Sequence, residues 1–303
     1  MQEAFGEFKV LERVGAGLKA ETFRARDTRA GRTAAVKVLT SDLAMDPVVG
    51  APFVDEAYLA EKLGHPNVAA LYEIGEQDGR PHLVYEFIQG QSLTAVLGGQ
   101  PINPRRALEL ATQIADALAD AHALGLVHRA LRPDKVIVSL KGNAKVLDFG
   151  LGHYAAAVVR QLADSGGPDA GTARRVRAYW APEQWTGPAD ARSDIYSLGL
   201  VLMEMLTGRS PSDDGTPPDN SGVPVIVQPI LSRMLAPAPD ARIDSAATVA
   251  AELRQLVVAL EAQRDAPPAA PPAGTTGATR SSGGRPPTTP APSTRSATSW
   301  ARS

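Results

Sequence analysis

Apolar and polar positions alternate in short runs through the first third of the chain. FKVLERV (8–14), ETFRARD (21–27) and TAAVKVL (33–39) each carry this two-residue period or a short apolar run, which marks half-buried strands. The turn-forming TRAG at 28–31 joins the last two, so the pattern predicts three antiparallel strands. A helical period over FVDEAYLAEKLG (53–64) follows, then two more strand segments, NVAALYEIG (67–75) and HLVYEFI (82–88), separated by the turn QDGR. From Asn103 the period changes: Pro104 suits a first helical turn, and Leu108, Ala111, Ala115 and Leu118 share one helix face up to Gly125. Two later helices are predicted over 193–208 and 245–263. A β-rich part therefore precedes a helical part, an α+β arrangement.

Beyond Asp265 the chain turns to Pro, Ala, Gly, Ser and Thr with scattered Arg and no acidic residue. Such a composition supplies nothing to bury, and 265–303 is expected to be a disordered, weakly basic tail. The remainder, with 44% hydrophobic residues in the 303-residue chain, is enough for a sizeable core. A net charge of −2 gives no electrostatic ground for nucleic acid or an anionic membrane as partner. The absence of Cys excludes disulfides, thiolate metal sites and cysteine nucleophiles. With no apolar run of membrane-spanning length and no basic-then-apolar start, a cytoplasmic protein without membrane insertion is expected.

Candidate chemistry lies in LVHRALRPDKVIVS (126–139), GAGLKA (15–20), AAVKVL (34–39), HLVYEFIQG (82–90), the DFG at 148–150, YWAPEQ (179–184), RSDIYSLG (192–199) and PDARI (239–243). Taken in chain order, the motifs resemble the bacterial Ser/Thr protein kinases of the eukaryotic (Hanks) type, over roughly residues 5–262. The resemblance implies a bilobal fold with a small β-rich lobe (5–88) and a larger helical lobe (89–264). It also implies a nucleotide cleft in which Gly15 and Gly17 approach phosphates, Lys37 grips them, and Glu56 pairs with Lys37. Ala35 and Ile137 would flank adenine, the Glu86 carbonyl and Ile88 amide would bond it, Tyr85 would be the gatekeeper, and Asp148 would ligate Mg²⁺. Glu183 would pair with Arg242, and Asp194 would hold the loop around residue 128.

Departures from the family pattern fall in the catalytic machinery. Ala130 stands in place of the aspartate that orients the attacking hydroxyl, a group whose loss costs about 10²- to 10⁴-fold in rate. Arg132 replaces the loop lysine, and its planar fork does not reproduce a point charge. Lys135 replaces a metal-ligating asparagine and would repel a second Mg²⁺, leaving one metal site at most. Arg175 and Val176 occupy the usual Gly-Thr of the activation segment, and the stretch after SPSDDG is too short and too rich in Pro, Gly and Asp for the family's substrate-docking helix.

These losses predict a pseudokinase with weak ATP binding, regulating or recruiting an active Ser/Thr kinase or a phosphothreonine-binding protein. The alternatives are a divergent active Ser/Thr kinase using Arg132, and a kinase-shaped anchor for the tail. Thr172, in a segment expected to be a mobile loop, and Thr275, Thr276, Thr288 and Thr289 in the tail are candidate phosphate acceptors.

Overall fold

The protein is represented by a computed structural model that describes residues 4–39 and 47–265. The alternating segments form a six-stranded antiparallel sheet from β1 (Ala4–Phe5), β2 (Phe8–Gly17), β3 (Ala20–Asp27), β4 (Thr33–Leu39), β5 (Leu71–Gln77) and β6 (Arg80–Glu86), ordered β1-β2-β3-β4-β6-β5. Alternation sorts β4 into two faces. Ala34, Val36 and Val38 are buried with Phe5, Phe8, Phe23, Ala25 and Val84, which leaves Ala35 and Lys37 on the opposite face, looking into a cleft. Register places Lys37 between Thr22 and Leu83, and Ala35 beside Tyr85.

Helix α1 (Pro47–Glu61) begins earlier than the apolar period indicated. The strand expected from Asn67 starts only at Leu71, because the Asn67 side chain donates to the Ala144 carbonyl at 2.7 Å and ties this stretch to a second sheet. That sheet contains β7 (Gly90–Ser92), β8 (Val136–Ser139) and β9 (Ala144–Val146). Phe87 and Ile88, expected in a strand, instead connect the two parts of the molecule.

The second part is helical: α2 (Leu93–Leu97), α3 (Pro104–Ala123), α4 (Gly152–Ala163), α5 (Ala170–Arg177), α6 (Ala191–Thr207), α7 (Gln228–Met234) and α8 (Ala246–Asp265). Leu108, Ala111, Ala115 and Leu118 of α3 are all buried, as their spacing required. Helix α6 is buried nearly all round, the condition of a central helix. No helix forms between Gly208 and Pro224, so the stretch read as lacking a docking helix does lack one. Helices α4 and α5 are the departure: the loop expected around Thr172 is helical, with Thr172, Arg175 and Val176 all in α5. The Ala-rich run HYAAAVVRQLA favours helix and buries Tyr154 and Val158 in the main core and Ala156 and Val159 against Trp180. Among the described residues no helix is long and apolar enough to cross a membrane. The tail threonines lie outside the described residues.

Candidate functional site

The cleft between the sheet and the helical part holds a cavity of about 430 Å³ whose lining includes Gly15, Gly17, Thr22, Ala35, Lys37, Tyr85, Glu86, Ile88, Arg132, Lys135, Ile137 and Asp148. These residues come from six separate stretches of sequence, and the fold brings them together around one cavity. Glu56 is the exception.

Glu56 does not pair with Lys37. Its carboxylate, on a residue only 4% exposed, takes the guanidinium of Arg129 and the backbone N–H of His153 at 2.9 Å, with His153 Nδ1 at 3.4 Å. Two features of the chain produce this exchange. Arg129 sits at φ 61°, a conformation that non-glycine residues rarely adopt, and Asp194 holds it there by accepting from its amide at 2.8 Å. Helix α4 also starts against Glu56: a Cβ on Gly152 would lie 3.0 Å from Glu56 Oε1 and 2.9 Å from the His128 carbonyl. Only glycine lets the helix begin this close. A buried carboxylate takes whichever cations and N–H groups reach it, and here the helical activation segment and Arg129 reach it.

Lys37 binds Asp148 instead, Nζ to Oδ2 at 2.5 Å. Lys135 Nζ touches the same oxygen at 2.6 Å. Burial works to raise the Asp148 carboxyl, and the charges and hydrogen bonds of Lys135 and Lys37 overcome it, holding it well below the usual carboxylate range. Burial pulls the Lys37 ammonium down to about 8, with Asp148 opposing the fall and Lys135 adding to it. With Lys135 also 3.8 Å from Asp134 and Arg132 on that same carboxylate, three cations face two carboxylates at this point of the cleft.

The catalytic-loop positions are equally specific. Ala130 is 8% exposed and presents only a methyl group. Arg132 folds back onto Asp134, Nε to Oδ1 at 2.5 Å, so its fork is committed to a carboxylate two residues away. Asp134 thereby has a cation on it already.

Mg²⁺ is the metal such a cleft would be asked to hold, and the donors do not fit it. Mg²⁺ prefers several oxygen ligands at 2.0–2.1 Å, whereas the Asp148 oxygen facing the cleft carries two ammonium groups and the neighbouring candidate ligand is itself Lys135. A divalent cation 4 Å from one ammonium would meet a repulsion of roughly 8 kcal/mol at an effective dielectric of 20, which offsets part of its attraction to the Asp148 carboxylate. Among the described residues no group of three or more His, Cys, Asp or Glu could hold a metal. A Mg²⁺ ion at Asp148, the one site expected, would require Lys135 to leave that carboxylate.

The wall of the cleft is closed by contacts that the sequence did not disclose. The Tyr85 hydroxyl donates to the Phe149 carbonyl at 2.9 Å, and Phe149 packs edge-on against His128 at 4.9 Å. Tyr154 of α4 donates to the Lys19 carbonyl at 2.6 Å, and Ala156, Val159 and Trp180 cluster with Leu18. The tip of the glycine-rich turn is thus fastened to α4. Arg129, Gly152, His153 and Tyr154 escaped the sequence reading; the helical period of HYAAAVVRQLA was the one available signal.

Beneath the cleft, the scaffold pairs are where they were expected. Arg242 donates to both Glu183 oxygens at 2.7 Å. Asp194 accepts from the His128 and Arg129 amides at 2.8 Å and contacts His122 Nε2 at 2.9 Å.

The profile of the protein kinase domain matches residues 8–262. Serine/threonine-protein kinase PknB of Mycolicibacterium smegmatis is 34% identical over 91% of this chain and 48% of its own length. The probable serine/threonine-protein kinase SCO3848 of Streptomyces coelicolor is 39% identical over 68% of this chain and 31% of its own. This chain thus spans about half or less of these curated relatives. Among solved structures, the kinase domain of Mycobacterium tuberculosis PknI superposes with a TM-score of 0.68 at 25% identity, covering 83% of this chain and 96% of that domain.

Proposed function

Because this chain belongs to the protein kinase family, with bacterial Ser/Thr kinases as relatives, we propose from its cleft that it is a pseudokinase. In this reading it holds a nucleotide and regulates phosphosignalling without transferring phosphate itself. The observation that carries it is the catalytic loop. Ala130 offers no carboxylate to a substrate hydroxyl, and the nearest acid in that loop, Asp134, is engaged by Arg132.

Three further features support the reading. Lys135 covers Asp148, Glu56 is bound to Arg129 rather than Lys37, and α4 is fastened to the glycine-rich turn. A positioned base and an electrostatic clamp on the transferring group supply most of the rate in phosphoryl transfer. The base is absent, and the clamp is rearranged around Lys135. ATP would lie with its base among Ala35, Ile137 and the Glu86–Ile88 connection. Its phosphates would lie toward Gly15, Gly17 and Lys37. The partner in such a role would be an active Ser/Thr kinase or a phosphothreonine-binding protein.

A second reading is a divergent active Ser/Thr kinase. It is favoured by the names of the relatives and by the retention of Lys37 and Asp148 in direct contact. Transfer of label from [γ-³²P]ATP to a generic protein substrate separates the two, with Asp148→Ala as control. The pseudokinase reading expects the two proteins to be alike at background. Transfer by the wild type that Asp148→Ala abolishes would establish the active kinase.

A further inference from the structure

We propose that the cleft binds its nucleotide as the metal-free anion, with the Lys135 ammonium standing where a kinase of this fold places a divalent cation. The proposal rests on the nucleotide-binding part of the reading above and adds the ionic form of the ligand.

Lys37 and Lys135 share one oxygen of Asp148, at 2.5 and 2.6 Å. Their side chains are 13% and 17% exposed, so both ammonium groups are shielded by protein while still lining the open cavity. Lys135 also lies 3.8 Å from Asp134, which Arg132 pairs, so two carboxylates here face three cations. The unbalanced charge is fixed at the phosphate end of a cavity whose other end is apolar, between Ala35 and Ile137. The complement of that arrangement is a flat apolar ring carrying a multiply charged anion.

A metal-chelated triphosphate complements it poorly, because the chelated cation hides the phosphate charge the two lysines would meet and is itself repelled by Lys135. A free triphosphate gains charge-assisted hydrogen bonds from both ammonium groups, and Lys135 can swing from Asp148 to a phosphate while Lys37 keeps the carboxylate paired. Arg132 lines the same cavity but is committed to Asp134. Lys135 is therefore the residue that decides the ionic form.

The test is calorimetric titration of the full chain with ATP, once in EDTA and once with excess MgCl₂, and with adenosine in EDTA. ATP is expected to bind in EDTA with a Kd no higher than in MgCl₂, and at least tenfold tighter than adenosine. Lys135→Asn is expected to lose about tenfold in EDTA, one charge-assisted contact's worth, and to acquire a preference for MgCl₂. Lys135→Met, uncharged and of similar length, serves as the second variant and is expected to lose the EDTA binding without gaining the metal preference.

Binding that requires MgCl₂, or ATP binding no tighter than adenosine in EDTA, overturns the proposal. So does the absence of ATP binding in both buffers. None of these results restores a base at Ala130, so the pseudokinase reading is decided separately, by label transfer.

Discussion

Two sets of buried charges lie a short distance apart in this protein and were equally visible in its sequence. Under the helical part, Glu183 meets Arg242 and Asp194 meets the 128–129 backbone, each as its motif required. In the cleft, Lys37, Glu56, Asp148 and Lys135 are all present, yet the expected Lys37–Glu56 pair is replaced by Glu56–Arg129 and by a lysine pair on Asp148. The scaffold carboxylates sit on elements fixed by packing, α6 and the turn before it, with one set of donors in reach. The cleft carboxylates sit where α1, the catalytic loop and the start of α4 converge. Several cations compete there, and small shifts of backbone decide which pair forms.

The largest effect is expected on the scaffold side. Asp194 is completely buried, and Asp194→Ala would strand the His128 and Arg129 amides and His122. A loss of about 3–5 kcal/mol in urea unfolding is expected, the cost of breaking a buried charge network. A loss under 1 kcal/mol would mean that the two regions do not differ in rigidity as described.

Asp148→Ala in the cleft is expected to cost less, about 1–3 kcal/mol by the same measurement. Solvent in the cavity and the already lowered Lys37 soften the charge left behind. A cost equal to that of Asp194→Ala would erase the contrast.

Glu56→Gln probes the exchange itself. Weakening the Arg129 contact and the tie to His153 should loosen the start of α4, and hydrogen exchange of amides 153–163 is expected to quicken by about tenfold, or ~1.4 kcal/mol of local stability. Unchanged exchange there, with faster exchange around Lys37, would return Glu56 to the lysine.

The smallest effect belongs to Tyr154→Phe, which removes the hydrogen bond to the Lys19 carbonyl. About 0.5–1.5 kcal/mol is expected, together with faster exchange in the glycine-rich turn.

This contrast also explains what could be read in advance. Strand alternation around Val36 and the face of α3 around Leu108 are local patterns, so the two-part α+β architecture was legible. The ordered motifs also name residues, from Gly15 to Asp148, that the fold gathers around one cavity. Residue identity sufficed to single out Lys135 and Ala130 as departures from the family pattern. The partner of Glu56 was not legible, because it depends on the left-handed backbone of Arg129 and on a Cβ that Gly152 lacks. The helix at 152–163 was legible only in its alanines at 155–157 and in the i, i+4 spacing of Tyr154 and Val158.

The central claim is that Glu56 belongs to Arg129 and not to Lys37, and a pair of double-mutant cycles on unfolding free energy tests it directly. Glu56→Gln combined with Arg129→Met is expected to show a coupling of about 1 kcal/mol or more, whereas Glu56→Gln with Lys37→Met should be additive to within about 0.5 kcal/mol. Strong coupling to Lys37 with additivity at Arg129 would contradict the account.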